Sequence, residues 1–108
     1  MKARQLLKIK EIKDSLVASG FITLDQQAKV LGLARSTTWT ILRGKYKSSG
    51  LSAATVNCML QSPQLPPFVR ARVLEYVNEK SAGLYGHSNL QRRRFIVLLS
   101  GPQVANVK

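Results

Sequence analysis

Near the start of the chain, apolar side chains return every three or four positions. Leu6, Ile9, Ile12 and Leu16 form the series, with lysines and Arg4 covering the other faces. That is the period of a helix with one buried stripe. It predicts helix 1 over residues 2–19, with Gly20 as its stop. The stripe is needed to close a small core, which ranks a membrane-surface role for this basic helix low. Thr23 followed by Gln26 is a capping box, and Asp25 lies in the first turn, where the helix dipole favours an acid. Leu24, Ala28 and Leu31 share one face of helix 2, which Gly32 ends. A third helical pattern starts at Ala34 or Arg35 and runs to about Leu42, with Gly44 as its left-handed cap.

Ser52 caps a fourth helix over 53–61, in which Val56, Met59 and Leu60 turn inward and Cys58 packs as a small hydrophobe. The stretch SPQLPP reads as a rigid loop. Pro67 opens helix 5, over 67–80, and Phe68, Val69, Val73, Tyr76 and Val77 give it a broad apolar surface. SAGLYGHSN reads as a linker containing His87. The last piece, LQRRRFIVLLSGPQVANVK, leaves two readings open: a pair of β-strands turning at SGP, or an arm that orders only in a dimer. The expected organisation is a domain over 1–80 and a linker and C-terminal arm over 81–108.

Composition narrows the function. The chain has 108 residues and is 44% hydrophobic, enough for one domain with a core. Its 17 Lys and Arg against 5 Asp and Glu leave a net charge of +12, which favours a polyanionic partner. Between Gln26 and Leu74 there is no acid, while Lys29, Arg35, Arg43, Lys45, Lys47, Arg70 and Arg72 are present. A merely solvated surface would seldom exclude one sign of charge over so long a span.

One Cys and one His exclude a disulfide within the chain and a Cys/His zinc site. They also leave few ways to assemble a triad or an acid–base pair, and no phosphate-binding Gly-rich loop is present. The chain therefore reads as a non-enzyme without cofactor or metal. No apolar run approaches the roughly 20 residues needed to cross a bilayer, and the basic N-terminus has no signal-peptide core. The expected location is the cytoplasm, with the nucleoid.

The residues that carry function lie in QQAKVLGLARSTTWTIL. Ala28 lets the third helix approach the second. Gly32 takes the turn, and Leu33, Thr38 and Ile41 fill the angle between the helices. With Leu24 and Leu31, these positions make a helix-turn-helix core. At about 100° per residue, Thr38, Ile41 and Leu42 face inward. Ser36, Thr40 and Arg43 then face outward, with Trp39 on the flank and Arg35 in the first turn. Such a surface suits a major groove: Arg grips guanine edges with two hydrogen bonds, and Ser and Thr bond bases or phosphate.

Residues 22 to 60 resemble the DNA-binding domain of lambda-repressor-like regulators, the Cro and xenobiotic-response-element group. ARSTTWTILRGKYK is similar to their second helix and the basic turn after it. Two positions depart from the family pattern: Ala34, where a capping Ser or Thr is frequent, and Thr38, where Val or Ile is usual. VRARVLEYVNEK has a fainter similarity to the headpiece end of lac-repressor-like regulators. The resemblance implies a mostly α, five-helix domain in a bacterial or phage transcription regulator, usually a homodimer on paired half-sites.

The expected base-contacting residues are Arg35, Ser36, Trp39, Thr40 and Arg43. Phosphate contacts are expected at Thr23, Gln26, Thr37, Lys45 and Lys47, which position without reading sequence. The basic run Arg92-Arg93-Arg94 suits either a minor-groove or backbone contact or a charged guard against aggregation of FIVLL. The rival function is a protein-interaction module, such as an antitoxin or anti-activator, capturing a second protein through strand addition by the tail.

Overall fold

A computed structural model of the chain describes residues 2–43 and 50–107. It contains six helices, and no strand among the described residues: α1 (Lys2–Ala18), α2 (Leu24–Leu31), α3 (Arg35–Leu42), α4 (Ala53–Gln61), α5 (Pro67–Ser81) and α6 (Asn89–Val107). The expected starts and stops of the first five lie within a residue of these bounds. The local reasons are those legible in the sequence. Gly20 ends α1 at φ 95°. Thr23 and Gln26 form the reciprocal capping box of α2, and the Ser52 hydroxyl accepts the Thr55 N–H at the start of α4. Gly44, the expected cap of α3, lies outside the described residues.

α1 lies along α5, and its buried stripe is Ile9, Ile12 and Leu16. The stripe does not extend to Leu6 as expected: Leu6 is half exposed, and Gln5 takes the buried place. Gln5 lies four residues before Ile9, directly in line, and its Oε1 accepts the Tyr76 hydroxyl at 2.8 Å. Phe68 likewise lies outside the core. It is exposed and covered on one side by the Arg72 guanidinium, 5.5 Å from the ring centre. Cys58 is also exposed rather than packed, one position off the Val56–Met59 face of α4 that does face the core. Around the α1–α5 seam, Val56, Met59, Val69, Val73 and Tyr76 complete a continuous core.

The sixth helix corrects the expected tail. FIVLL is neither a strand nor a detached arm, because it lies in α6, which packs on α4 and α5. Three features select the helix. Ser88 and Gln91 form a second capping box: the Ser88 hydroxyl accepts the Gln91 N–H, and Gln91 Oε1 accepts the Ser88 N–H. Phe95 and Leu99, four apart, both meet the core. Arg92 Nε donates to the Ser81 carbonyl at 3.1 Å, passing over Gly83, where a Cβ would meet its side chain. The helix runs on through Gly101 and Pro102, so SGP is not a turn. Strand addition loses its structural basis in this segment. Nor is the Arg92-Arg93-Arg94 run an arm: Arg92 is tied into the α5–α6 join, while Arg93 and Arg94 are exposed on α6. The linker is also more structural than expected, since Tyr85 is buried with its ring 5.3 Å from that of Tyr76.

Lys80 is the one buried cation among the described residues. Its Nζ donates to the Leu51 carbonyl at 2.6 Å and lies 4.3 Å from the centre of the Phe95 ring. Burial pushes this ammonium down from 10.5 to about 8. Between those two values the unfolded chain holds a proton that the folded chain has released, so stability rises with pH. The expected gain is on the order of 1–2 kcal/mol. Tyr85 opposes this from about pH 10.0 upward, because burial and the Glu79 carboxylate keep its phenol protonated only in the folded state, and beyond pH 10.5 stability falls. Urea denaturation at a series of pH values measures this, and Lys80→Met should remove the rise.

Among the described residues, no helix is long and apolar enough to cross a membrane, and no three His, Cys, Asp or Glu side chains gather as a metal site.

Candidate nucleic-acid interface

The join between α2 and α3 sets the geometry of the candidate surface. Gly32 adopts φ 71°, ψ 27°, and its N–H reaches the Lys29 carbonyl while that of Leu33 reaches the Ala28 carbonyl. These two bonds are the Schellman closure of α2, with glycine at the left-handed position. A Cβ at this glycine would meet the Cys58 carbonyl at 3.2 Å, so α4 also demands the residue. Ser62, at the end of α4, adds a buried 2.6 Å hydrogen bond to the Val30 carbonyl. The α2–α3 pair is thus fastened to α4 from behind. Ala28, Leu31, Thr38 and Ile41 are buried, while Leu24 and Leu33 are partly so.

Ala34 and Thr38 meet at the start of α3. Ala34 stands at the N-cap and makes no side-chain cap bond. Thr38 is fully buried, and its hydroxyl donates to the Ala34 carbonyl at 3.0 Å. A hydroxyl at a Val-like core position therefore carries no unsatisfied proton.

Outward, Ser36, Trp39 and Arg43 are exposed and Thr40 is half-buried, while Arg35 has a 70% exposed side chain. Leu24, Arg35, Ser36, Trp39 and Thr40 line one shallow, open concavity. A second groove beside it brings Arg43 together with Lys13, Val17 and Ile22. The Arg43 guanidinium stands 5.6 Å from the centre of the Trp39 ring, a cation–π contact that orients both. The Thr40 hydroxyl donates to the Ser36 carbonyl at 3.0 Å, which leaves its oxygen to accept and its methyl to make apolar contact.

Among the expected phosphate contacts, Thr37 is exposed. Thr23 and Gln26 are exposed, and their capping bonds occupy acceptor oxygens. The Gln26 amide N–H groups and the Thr23 hydroxyl proton remain as donors. Lys45 and Lys47 lie outside the described residues.

Charge is segregated over the fold. Glu11, Asp14, Glu75 and Glu79 pair with Lys8, Lys10, Arg4 and Arg72 on α1 and α5. The Arg4 hydrogen bond holds the Glu79 carboxyl below its ordinary value. Only Asp25, of the five acids in the chain, lies on the α2–α3 pair.

Sequence reasoning missed two participants. Lys13 adds an α1 cation at the edge of α3, which a wheel of α1 alone does not place. Asp25 has a partner beyond its own helix: its Oδ1 lies 2.9 Å from Arg35 Nε. The capping pattern that identified Asp25 as a first-turn acid gave no sign of that pairing.

Comparison of the chain with protein-family models, curated proteins and solved structures finds no match in any of the three.

Proposed function

We propose that the chain is a sequence-specific double-stranded-DNA-binding regulator of the helix-turn-helix type, with α3 entering the major groove. The observation that carries this reading is the outward ridge of α3. Arg35, Ser36, Trp39, Thr40 and Arg43 stand together, exposed or half-exposed, on a helix held from behind by the Gly32 elbow. α6 packs on α4 and α5 and leaves that ridge uncovered. Two guanidinium groups, hydroxyl oxygens and an apolar ring suit base edges, and the cations around them suit phosphate.

The reading includes a homodimer. Leu90 is 73% and Val97 is 59% exposed, seven residues apart on α6, the most exposed large apolar side chains of that helix among the described residues. Pairing through this face would present two α3 helices to half-sites about 34 Å apart, or a multiple of that. Transcription regulation follows from such binding as its commonest use. The protein-capture alternative has no strand to offer in the described tail.

The test is a selection of random-sequence duplexes with the full chain, followed by titration of the enriched duplex at several salt concentrations. The expected result is saturable binding by two copies. Log K should fall linearly with log salt, with a slope of about −0.9 per phosphate contacted. A selection that enriches no sequence, or binding indifferent to salt, overturns the proposal.

A further inference from the structure

Arg35 can contribute to DNA binding in two ways that have opposite consequences. Its guanidinium can grip a phosphate, which adds affinity on every sequence, or a base edge, which adds affinity on one. Asp25 bears on that choice. Its carboxylate sits in the first turn of α2 with Oδ1 2.9 Å from Arg35 Nε, and both side chains are more than two-thirds exposed. An ion pair in open solvent contributes little to stability, so its geometry is the more informative property. With the carboxylate drawn to the Nε edge, the guanidinium is biased in its orientation, and an end-on approach of its terminal N–H groups to a base stays open. Those are the groups that bond a guanine O6 and N7 together when Arg approaches end-on.

The charge of Asp25 acts in the same direction. It is the sole acid between Asp14 and Glu75. Placed beside the reading helix, it repels phosphate wherever the fit to the bases is imperfect, a penalty the matched sequence offsets through Arg35.

We infer that Asp25 is a positioning residue for specificity: it holds Arg35 in its base-reading orientation and suppresses its use as a phosphate clamp. The role rests on the DNA-binding reading of α3. It predicts a variant that binds DNA more tightly and reads it less well. Asp25→Asn removes the charge and keeps the shape. Asp14→Asn is the control, removing an equal charge from α1, where Asp14 pairs with Lys10 rather than with an arginine of α3.

Both variants and the wild type are titrated against three kinds of probe: the enriched duplex, its single-position variants, and an unrelated duplex of equal length. Asp25→Asn should bind the unrelated duplex several-fold more tightly. It should also lose about tenfold in discrimination at the base pair whose readout Arg35→Ala abolishes. Asp14→Asn should shift affinities uniformly and leave discrimination unchanged, as should any purely structural effect on the start of α2. If Asp25→Asn discriminates as the wild type does, or loses no more than Asp14→Asn, the role assigned to Asp25 is wrong while the DNA reading stands. If the wild type enriches no sequence, the DNA reading fails first and this inference with it.

Discussion

Arg35→Ala and Arg43→Ala together should weaken binding to the enriched duplex by up to about 100-fold, and each alone by about tenfold. The same double variant should lose far less on an unrelated duplex, where neither side chain meets its matched base. The expectation follows from what each guanidinium can reach. Arg35 begins α3, braced by Asp25; Arg43 closes it, laid against Trp39. The two thus bracket the helix at both ends, and a base contact at each fixes its register in the groove as well as adding energy. Removing one allows the helix to tilt about the other, so each single loss already contains part of the other's contribution and the pair should cost no more than the sum of the two single losses.

Neither arginine contributes to the core, since both are exposed. Melting of the variants should therefore track the wild type within about 0.5 kcal/mol. That separates lost contact from lost fold. Variants that melt normally and bind the enriched duplex as tightly as the wild type would remove α3 as the reading element. An equal loss on matched and unrelated duplexes would mean instead that the arginines hold phosphate, and specificity would have to be sought elsewhere.

Most of this surface was legible because its determinants are local. A capping box, a left-handed glycine and a three-to-four-residue apolar period specify α2, the elbow and α3 within one short stretch, and each is a pattern of neighbours in sequence. What was not legible depends on residues far apart. Gln5 replaces Leu6 in the core because Tyr76, on α5, supplies a hydroxyl for it. Phe68 lies outside the core because the buried face of α5 is the one carrying Val69, Val73 and Tyr76, about 100° round the helix from it.

α6 was the largest misreading, and there the signal was present. Ser88 and Gln91 repeat the Thr23 and Gln26 pattern, but the β-branched run in FIVLL and the SGP that follows it outweighed them. Burial of Phe95 and Leu99 against the rest of the fold decides in favour of helix, a tertiary preference that short-range propensity does not contain. The Asp25–Arg35 pair belongs to the same class. Two helices must first be folded onto each other before an acid in the first turn of one meets the arginine that opens the next.

Tyr76→Ala should destabilise the protein by about 3–5 kcal/mol, the largest loss expected of any single side chain here. The ring is fully buried and packs against Tyr85. Its hydroxyl accepts the Leu51 N–H at 2.9 Å and donates to Gln5 Oε1. One side chain on α5 thereby joins α1, the segment leading into α4, and the turn before α6. Tyr76→Phe isolates the polar part. It keeps the ring and removes the hydrogen bonds to the Leu51 N–H and the Gln5 amide oxygen, so a loss of about 1–3 kcal/mol is expected. Gly50→Ala approaches the same junction from the other side: Gly50 has φ 76°, and a Cβ there would collide with Gln5 Oε1 and the Tyr76 hydroxyl. Its loss should be comparable to that of Tyr76→Phe.

Urea denaturation of the three variants gives the order, with Tyr76→Ala lowest. A Tyr76→Phe variant as stable as the wild type would mean the hydroxyl is dispensable and the junction is held by packing alone. The consequence for function is indirect and has a sign. Because α4 braces the Gly32 elbow through the Cys58 carbonyl and Ser62, a loosened entry into α4 should raise the population of chains without an ordered α2–α3 pair. That lowers apparent affinity on every duplex by the same factor. Discrimination between duplexes, which depends on Arg35, Arg43 and Asp25 in the folded molecules, should stay as it is.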